Sequence, residues 1–257
     1  MRKKAKIVLR YNLEGFNDFY DIFKSKYSVY QMSITKSSVQ LTTENYKYLF
    51  TKDYIGIGAI ILFQRVKSDI LKNIEEKKIE IPDNIIPNYF TYNPKYFDSK
   101  SGYIIGCTEL DLNSAYLNTA YRLNLISDEI YNKLLSCSKN IRLRALGSIA
   151  TKKDIYSMEN GSIAEHTEKK NDLLCNVWKL ICSKTDETIY ELIAENGKDS
   201  FVFYWFDNLF INRSQNEIRK DRFYKLKFPL DMDYNYINNN IVLRIRQTEK
   251  TFNFSLK

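Results

Sequence analysis

At 257 residues, with 44% hydrophobic and 27% charged side chains, the chain can bury one large core or two smaller ones, and intrinsic disorder is excluded. The formal charge of +8, from 39 Lys and Arg against 31 Asp and Glu, suits a phosphate-rich partner and equally a lysine-rich solvated surface. A single histidine, His166, and eight glycines without a GxxxxGK or GxGxxG arrangement argue against histidine-based nucleophilic catalysis and phosphate-cradling loops.

Cys107, Cys137, Cys175 and Cys182 lack metal-ligand spacing and read as reduced thiols. Met1-Arg-Lys-Lys-Ala-Lys6 is not followed by a long apolar run, so no signal peptide is expected. The most apolar stretch, from Ile55 to Phe63, is shorter than the roughly 20 residues a bilayer-spanning helix needs. The expectation is a cytoplasmic protein (in the host cell, if viral) with no membrane partner.

In chain order, Lys6 to Tyr11 reads as a strand, and Glu14 to Phe23 has helical spacing through Phe16, Phe19, Tyr20 and Phe23. Gly58 to Ile74 repeats that period through Ile61, Val66, Ile70 and Ile74. Pro82, Pro87 and Pro94 punctuate an extended connection, and the main boundary is placed after residue 98. The expected division is a mixed α/β extension over 1–98 and a second domain over 99–257. Tyr89, Phe90, Tyr92, Tyr96 and Phe97 in the connection suit either stacking on unpaired bases or stapling of a loop to a core.

From Tyr103 to Asp111 the pattern is a strand, followed by helices over Ser114–Leu123, Ser127–Leu135 with Ser127 as N-cap, and Lys139–Ile149. Residues 151–166 read as a polar loop. Leu173, Leu174, Val177, Trp178 and Ile181 line one face of a further helix that Asn196-Gly197 ends. A β-hairpin follows, with arms Phe201–Phe206 and Leu209–Asn212 and its turn at Asp207-Asn208. Tyr224–Phe228, Ile241–Arg246 and Thr251–Phe254 complete the strands. Helices on one face of a mainly antiparallel sheet make an α+β fold.

Asp111 at a strand end and Asp207 at a hairpin tip are the acids that matter if their strands are neighbours. Hard carboxylate oxygens on adjoining strands, with the Leu112 carbonyl beside them, suit Mg2+ or Mn2+ and a nucleotide triphosphate. Each acid alone is also ordinary turn or helix-start chemistry. Brought close, the two carboxylates repel unless a cation or a basic side chain stands between them.

The order and flanks of these acids resemble the palm of family B DNA polymerases over about residues 98–215. Asp111, Ser114 and Tyr116 match the family's Asp-x-x-Ser-Leu-Tyr-Pro-Ser segment, while Ala115, Leu117 and Asn118 depart from it. Asp207 falls on the second aspartate of Tyr-Gly-Asp-Thr-Asp-Ser, and Trp205 stands where the first would be. Arg142-Leu-Arg144 and Gly147-Ser148 echo the middle Lys-x-x-x-Asn-Ser-x-Tyr-Gly motif. The resemblance implies a reduced palm with a short fingers-like helical hairpin, a nucleotidyltransferase acting on a DNA primer–template. Asp111, Asp207 and the Leu112 carbonyl would hold metal. Tyr116 would lie under the sugar, beside Ser114, with Arg142 or Arg144 on the triphosphate. Arg219, Lys220, Arg222 and Lys225 form a basic-aromatic run where the family grips the duplex. Two alternatives stand beside this reading. One is a non-catalytic polymerase relative that binds single-stranded or duplex nucleic acid or serves a larger assembly; the other is a reverse-transcriptase-like polymerase.

Overall fold

The computed structural model describes residues 7–18, 20–21, 29–36, 38–52, 56–160, 162–214, 218 and 224–255. The fold is α+β, with 38% helix and 37% strand. The chain forms two compact units, each assembled from two stretches: 1–83 with 125–178, and 84–124 with 179–257. The boundary expected after residue 98 therefore falls inside the second unit.

The first unit carries a six-stranded sheet in the order β1-β4-β3-β2-β7-β8. Its strands are β1 (Ile7–Asn12), β2 (Val29–Thr35), β3 (Ser38–Thr43), β4 (Tyr46–Thr51), β7 (Lys153–Glu159) and β8 (Ser162–Lys169). Only β1 and β4 pair in parallel. Residues 151–166, read from sequence as a loop, form most of the β7–β8 hairpin. Its edge strand is exposed along its whole length, so it lacks the apolar alternation that marks a strand. Val39, Leu41, Tyr48 and Phe50 fill the core of this sheet.

Helix α1 (Ile57–Lys77) buries Leu62, Val66 and Ile70 at helical spacing and stops at Lys78, whose φ of 52° is left-handed. Helix α3 (Asp128–Leu135) starts at Ser127, whose hydroxyl accepts from the Ile130 amide. Asp69 of α1 accepts from both the amide and the hydroxyl of Ser127, at 2.7 and 3.0 Å, which ties the two helices at that cap. Helix α4 (Lys139–Gly147) runs into a single 3-10 turn over Ser148–Ala150.

The second unit carries a seven-stranded sheet in the order β13-β12-β11-β6-β10-β9-β5. Its strands are β5 (Phe90–Tyr92), β6 (Ser101–Leu112), β9 (Phe201–Trp205), β10 (Asn208–Ile211), β11 (Tyr224–Ile237), β12 (Asn240–Ile245) and β13 (Thr251–Ser255). All neighbours are antiparallel. The sheet curls until its two edges meet, with Phe90 of β5 stacked on Phe254 of β13 at 4.1 Å. Phe90, Tyr92, Tyr96 and Phe97 join that core, so four of the five aromatics of the connection staple it to the sheet.

The central pair, β6 and β11, contains two compensating bulges. The register slips by one between Lys227 and Leu230 and slips back between Leu230 and Met232. Pro229 sits in the first slip, where a strand tolerates a missing N–H. Gly106, with φ of +72°, sits in the second. This extra residue puts Ile104 and Cys107 on one face although their spacing is odd, and the alternation then continues through Glu109 and Asp111. Thr108, Leu110 and Leu112 take the other face.

Against that other face lies the second half of helix α5 (Asp172–Asn196), which contributes Ile189, Leu192 and Ile193 to a core with Leu110, Tyr204, Leu209 and Ile211. Helix α2 (Ala115–Arg122) meets α5 through the buried hydroxyls of Thr119 and Thr185, 3.1 Å apart. Among the described residues no helix is long and apolar enough to cross a membrane.

Candidate functional site: a lysine-bridged acid pair at the strand–helix corner

Strand β6 ends at Leu112, and Asn113-Ser114 turns the chain into α2. Ser114 carries the corner with left-handed φ and ψ of 49° and 42°, and its carbonyl accepts from the Asn118 amide at 2.9 Å. The Asn118 side chain also donates to the Asn113 carbonyl. Ser114 therefore shapes the corner with its backbone, and its hydroxyl makes no cap to the helix.

The hairpin between β9 and β10 abuts this corner. Asn208 pairs with Asp111, and the Asp207 carbonyl accepts from the Leu112 amide at 3.0 Å. Asp207 thus sits in the turn that precedes β10, with its backbone against Leu112, while Asn208 takes the place directly opposite Asp111. The turn itself lies at Phe206–Asp207, one residue earlier than its Asp-Asn composition suggests, because Trp205 pairs with Asn208. That register stacks Phe203 on Phe210 at 4.2 Å. It also forces Phe206 to φ of +56°, an unfavourable value for a bulky residue. A hydrogen bond from the Phe206 amide to the Tyr89 carbonyl, and a ring contact with Tyr89, offset the strain.

Asp111 does not act alone. Glu109, two residues back on the same face, is almost wholly buried, with 3% of its side chain exposed. From β11, the Lys227 ammonium donates to Glu109 Oε1 at 2.9 Å and to Asp111 Oδ2 at 2.8 Å. Burial works against charging Lys227, but hydrogen bonds to Asp111 and Glu109 outweigh it and hold its pKa above the ordinary lysine value. The basic side chain at Asp111 thus bridges it to Glu109, an acid that the sequence reading did not pair with it.

Tyr116 opens α2 and is half-buried. Burial raises its phenol far above the usual range, and the charges of Asp207, Cys182, Asp186 and Tyr89 push it further the same way. Asp186 of α5 is itself buried, accepting from the Asn88 amide at 2.7 Å and from the Tyr204 hydroxyl at 3.4 Å. Burial, the largest cause, raises its carboxyl to about 6.

The remaining expected residues belong to the first unit, face Asp111 across the strands, or are not described. Arg142 and Arg144 belong to the first unit, both on α4, where Arg142 donates to the Leu135 carbonyl that ends α3. Lys225 is exposed and lies directly opposite Asp111 in the register. Arg219, Lys220 and Arg222 lie outside the described residues.

Glu109, Lys227 and Asp186 were missed from sequence. Glu109 was within reach, because an acid two residues from Asp111 on a strand must share its face. Lys227 was not, since its approach depends on the pairing of β6 with a strand more distant in sequence.

Among the described residues no group of three or more His, Cys, Asp or Glu side chains gathers as a metal cluster. The two carboxylates that do meet, Glu109 and Asp111, both present oxygens to the Lys227 ammonium and are paired with it. Magnesium commonly takes one or two carboxylates and completes its shell with water and phosphate oxygens. No family model, curated protein or solved structure matches the chain.

Proposed function

We propose that the chain is a reduced polymerase palm that binds a nucleic-acid primer–template in the cytoplasm and transfers nucleotides with Mg2+ or Mn2+. The observation that carries this reading is the adjacency of Asp111 and Asp207 at a strand–helix corner that also bears Tyr116. Asp111, with Asp207 at its side, would hold the metal. A metal bound there would neutralise triphosphate charge and favour ionisation of the attacking hydroxyl. The chain's own residues do the rest: Ser114 sets the corner, and Tyr116 sets the wall at the head of α2. Lys225, exposed opposite Asp111, offers a charge to a phosphate backbone.

Primer extension with Mg2+ and Mn2+ tests the proposal, with Asp111→Asn and Asp207→Asn expected to reduce incorporation to background. Unchanged incorporation in both variants removes these residues from the chemistry.

A second reading has its own support. Trp205 at the place of the missing acid, and an ammonium already seated on Asp111, suit a polymerase relative that binds nucleic acid without catalysis. A steep loss of binding with rising salt, with no incorporation, selects it.

A further inference from the structure

Strand β8 forms one edge of the six-stranded sheet, and among the described residues no strand pairs with its outer side. It is exposed along its whole length. Such an edge offers a row of unpaired N–H and C=O groups to any strand that approaches, and proteins guard it with bulges, proline or charge. Here the bulge lies towards one end. The β7–β8 register holds from Lys153 opposite Lys169 to Ser157 opposite Glu165, then slips, because Met158 pairs with Ile163 and leaves Ala164 unmatched. The regular part of the edge is therefore the five residues from Glu165 to Lys169, with Thr167 at their centre.

The charges of this stretch have a two-fold order. Counted outward from Thr167, His166 answers Glu168 and Glu165 answers Lys169. Within the hairpin the same groups are poorly matched: Lys169 lies directly opposite Lys153, and Glu168 opposite Asp154. Like charges so placed are destabilising. Lys152 bonds Glu168, and His166 lies 3.1 Å from Asp154, so the two acids are relieved from inside the chain. Glu165 and Lys169 form no ion pair among the described residues. They share a face of the strand with Thr167, each holding a charge that its own chain does not use.

We propose that β8 pairs with β8 of a second copy of this chain, antiparallel about a two-fold axis through Thr167, joining two six-stranded sheets into one. In that register Glu165 of each copy meets Lys169 of the other, His166 meets Glu168, and the two Thr167 side chains face each other, a favourable cross-strand pair. Moving the axis half a residue either way sets Glu165 against Glu168 or His166 against Lys169, and the match is lost. A two-fold contact closes on itself, so assembly stops at the dimer. The pairing uses no residue of the strand–helix corner and stands or falls apart from the palm reading.

Analytical ultracentrifugation of the full chain over a range of concentrations, at low salt, tests it, with a monomer–dimer equilibrium expected. Glu165→Lys and Lys169→Glu each turn two attractive contacts into two repulsive ones, and each is expected to weaken dimerisation about 4-fold or more. Mixing the two single variants sets opposite charges at both contacts and should restore dimers, an outcome that a fold defect in either variant would not give. The exchange within one chain, Glu165→Lys with Lys169→Glu, should also return dimerisation to about the parent level. A monomer at every concentration overturns the proposal and leaves the edge to a strand of a different protein. A dimer equally strong in all variants overturns it as well, because the contact then lies elsewhere.

Discussion

The two faces of the seven-stranded sheet each bury a carboxylate, and they neutralise it in different ways. On the helix-backed face Asp186 is met by neutral donors, the Asn88 amide and the Tyr204 hydroxyl, and its carboxyl is raised to about 6. On the opposite face Glu109 is met by a full positive charge. Neutral donors leave a buried acid prone to take up a proton, whereas a lysine gives it a partner of opposite charge. Both faces also carry an apolar core, so the contrast lies in the partner each carboxylate is given and not in the packing around it. The bulge at Gly106 makes this division possible, since the one-residue slip decides which face receives Glu109 and Asp111.

The largest expected effect lies on the packed face. Leu110 is fully buried beneath α5, so Leu110→Ala should cost about 2–5 kcal/mol in denaturant unfolding. A loss below ~1 kcal/mol would mean that this face is not the main store of stability.

A smaller effect with a pH signature is expected at Asp186. Its pKa is raised by burial from 3.8 to about 6, so between those values the native protein holds more protons than the unfolded chain. Stability from this group is greatest below pH ~4, falls as pH rises through about 6, and stays low above. Asp186→Asn should flatten that slope and stabilise the protein at pH 8 by about 2 kcal/mol or less. Thermal unfolding across pH 4–8 measures it, and an unchanged slope would show that Asp186 is charged in the fold throughout.

The smallest stability change is expected where the chemistry is most distinctive. Replacing Glu109 and Lys227 together by leucine removes both buried charges at once, and unfolding free energy should move by about 1 kcal/mol or less, or rise. A loss of several kcal/mol would make the pair structural and narrow the contrast between the faces.

Much of the chain between Tyr103 and Leu135 was legible because its signals are local. The apolar run into Asp111, the helix beginning at Ala115, and the Ser127 cap each state their structure within a few residues. The hairpin was read with its turn one residue late, because Asp-Asn is favoured turn chemistry while the stacked Phe203–Phe210 pair sets the register. Strands β2 to β4 passed unread, and β7 and β8 were taken for a loop. β8 is exposed along its whole length and so lacks apolar alternation, while β2 to β4 pair with sequence neighbours and β2 also reaches the distant β7. At the candidate site, the adjacency of Asp111 and Asp207 was an expectation from motif order. The bridge by Lys227 depends on the pairing of β6 with β11, far downstream in the chain, and no short pattern encodes that register.

The interleaving of the two units bears on how the chain is made. By the time residue 51 has been synthesised, four strands of the six-stranded sheet exist, but β2 must wait for β7, which begins at Lys153. Meanwhile β6 emerges and must wait for β10 and β11, whose first residues are Asn208 and Tyr224. Each sheet therefore holds an open edge during synthesis until a segment far downstream arrives. Open edges of this kind recruit strands from other chains. A nascent chain stalled between residues 112 and 153 would carry both open edges at once, and ribosomes that pause there should yield the fragments most prone to aggregate.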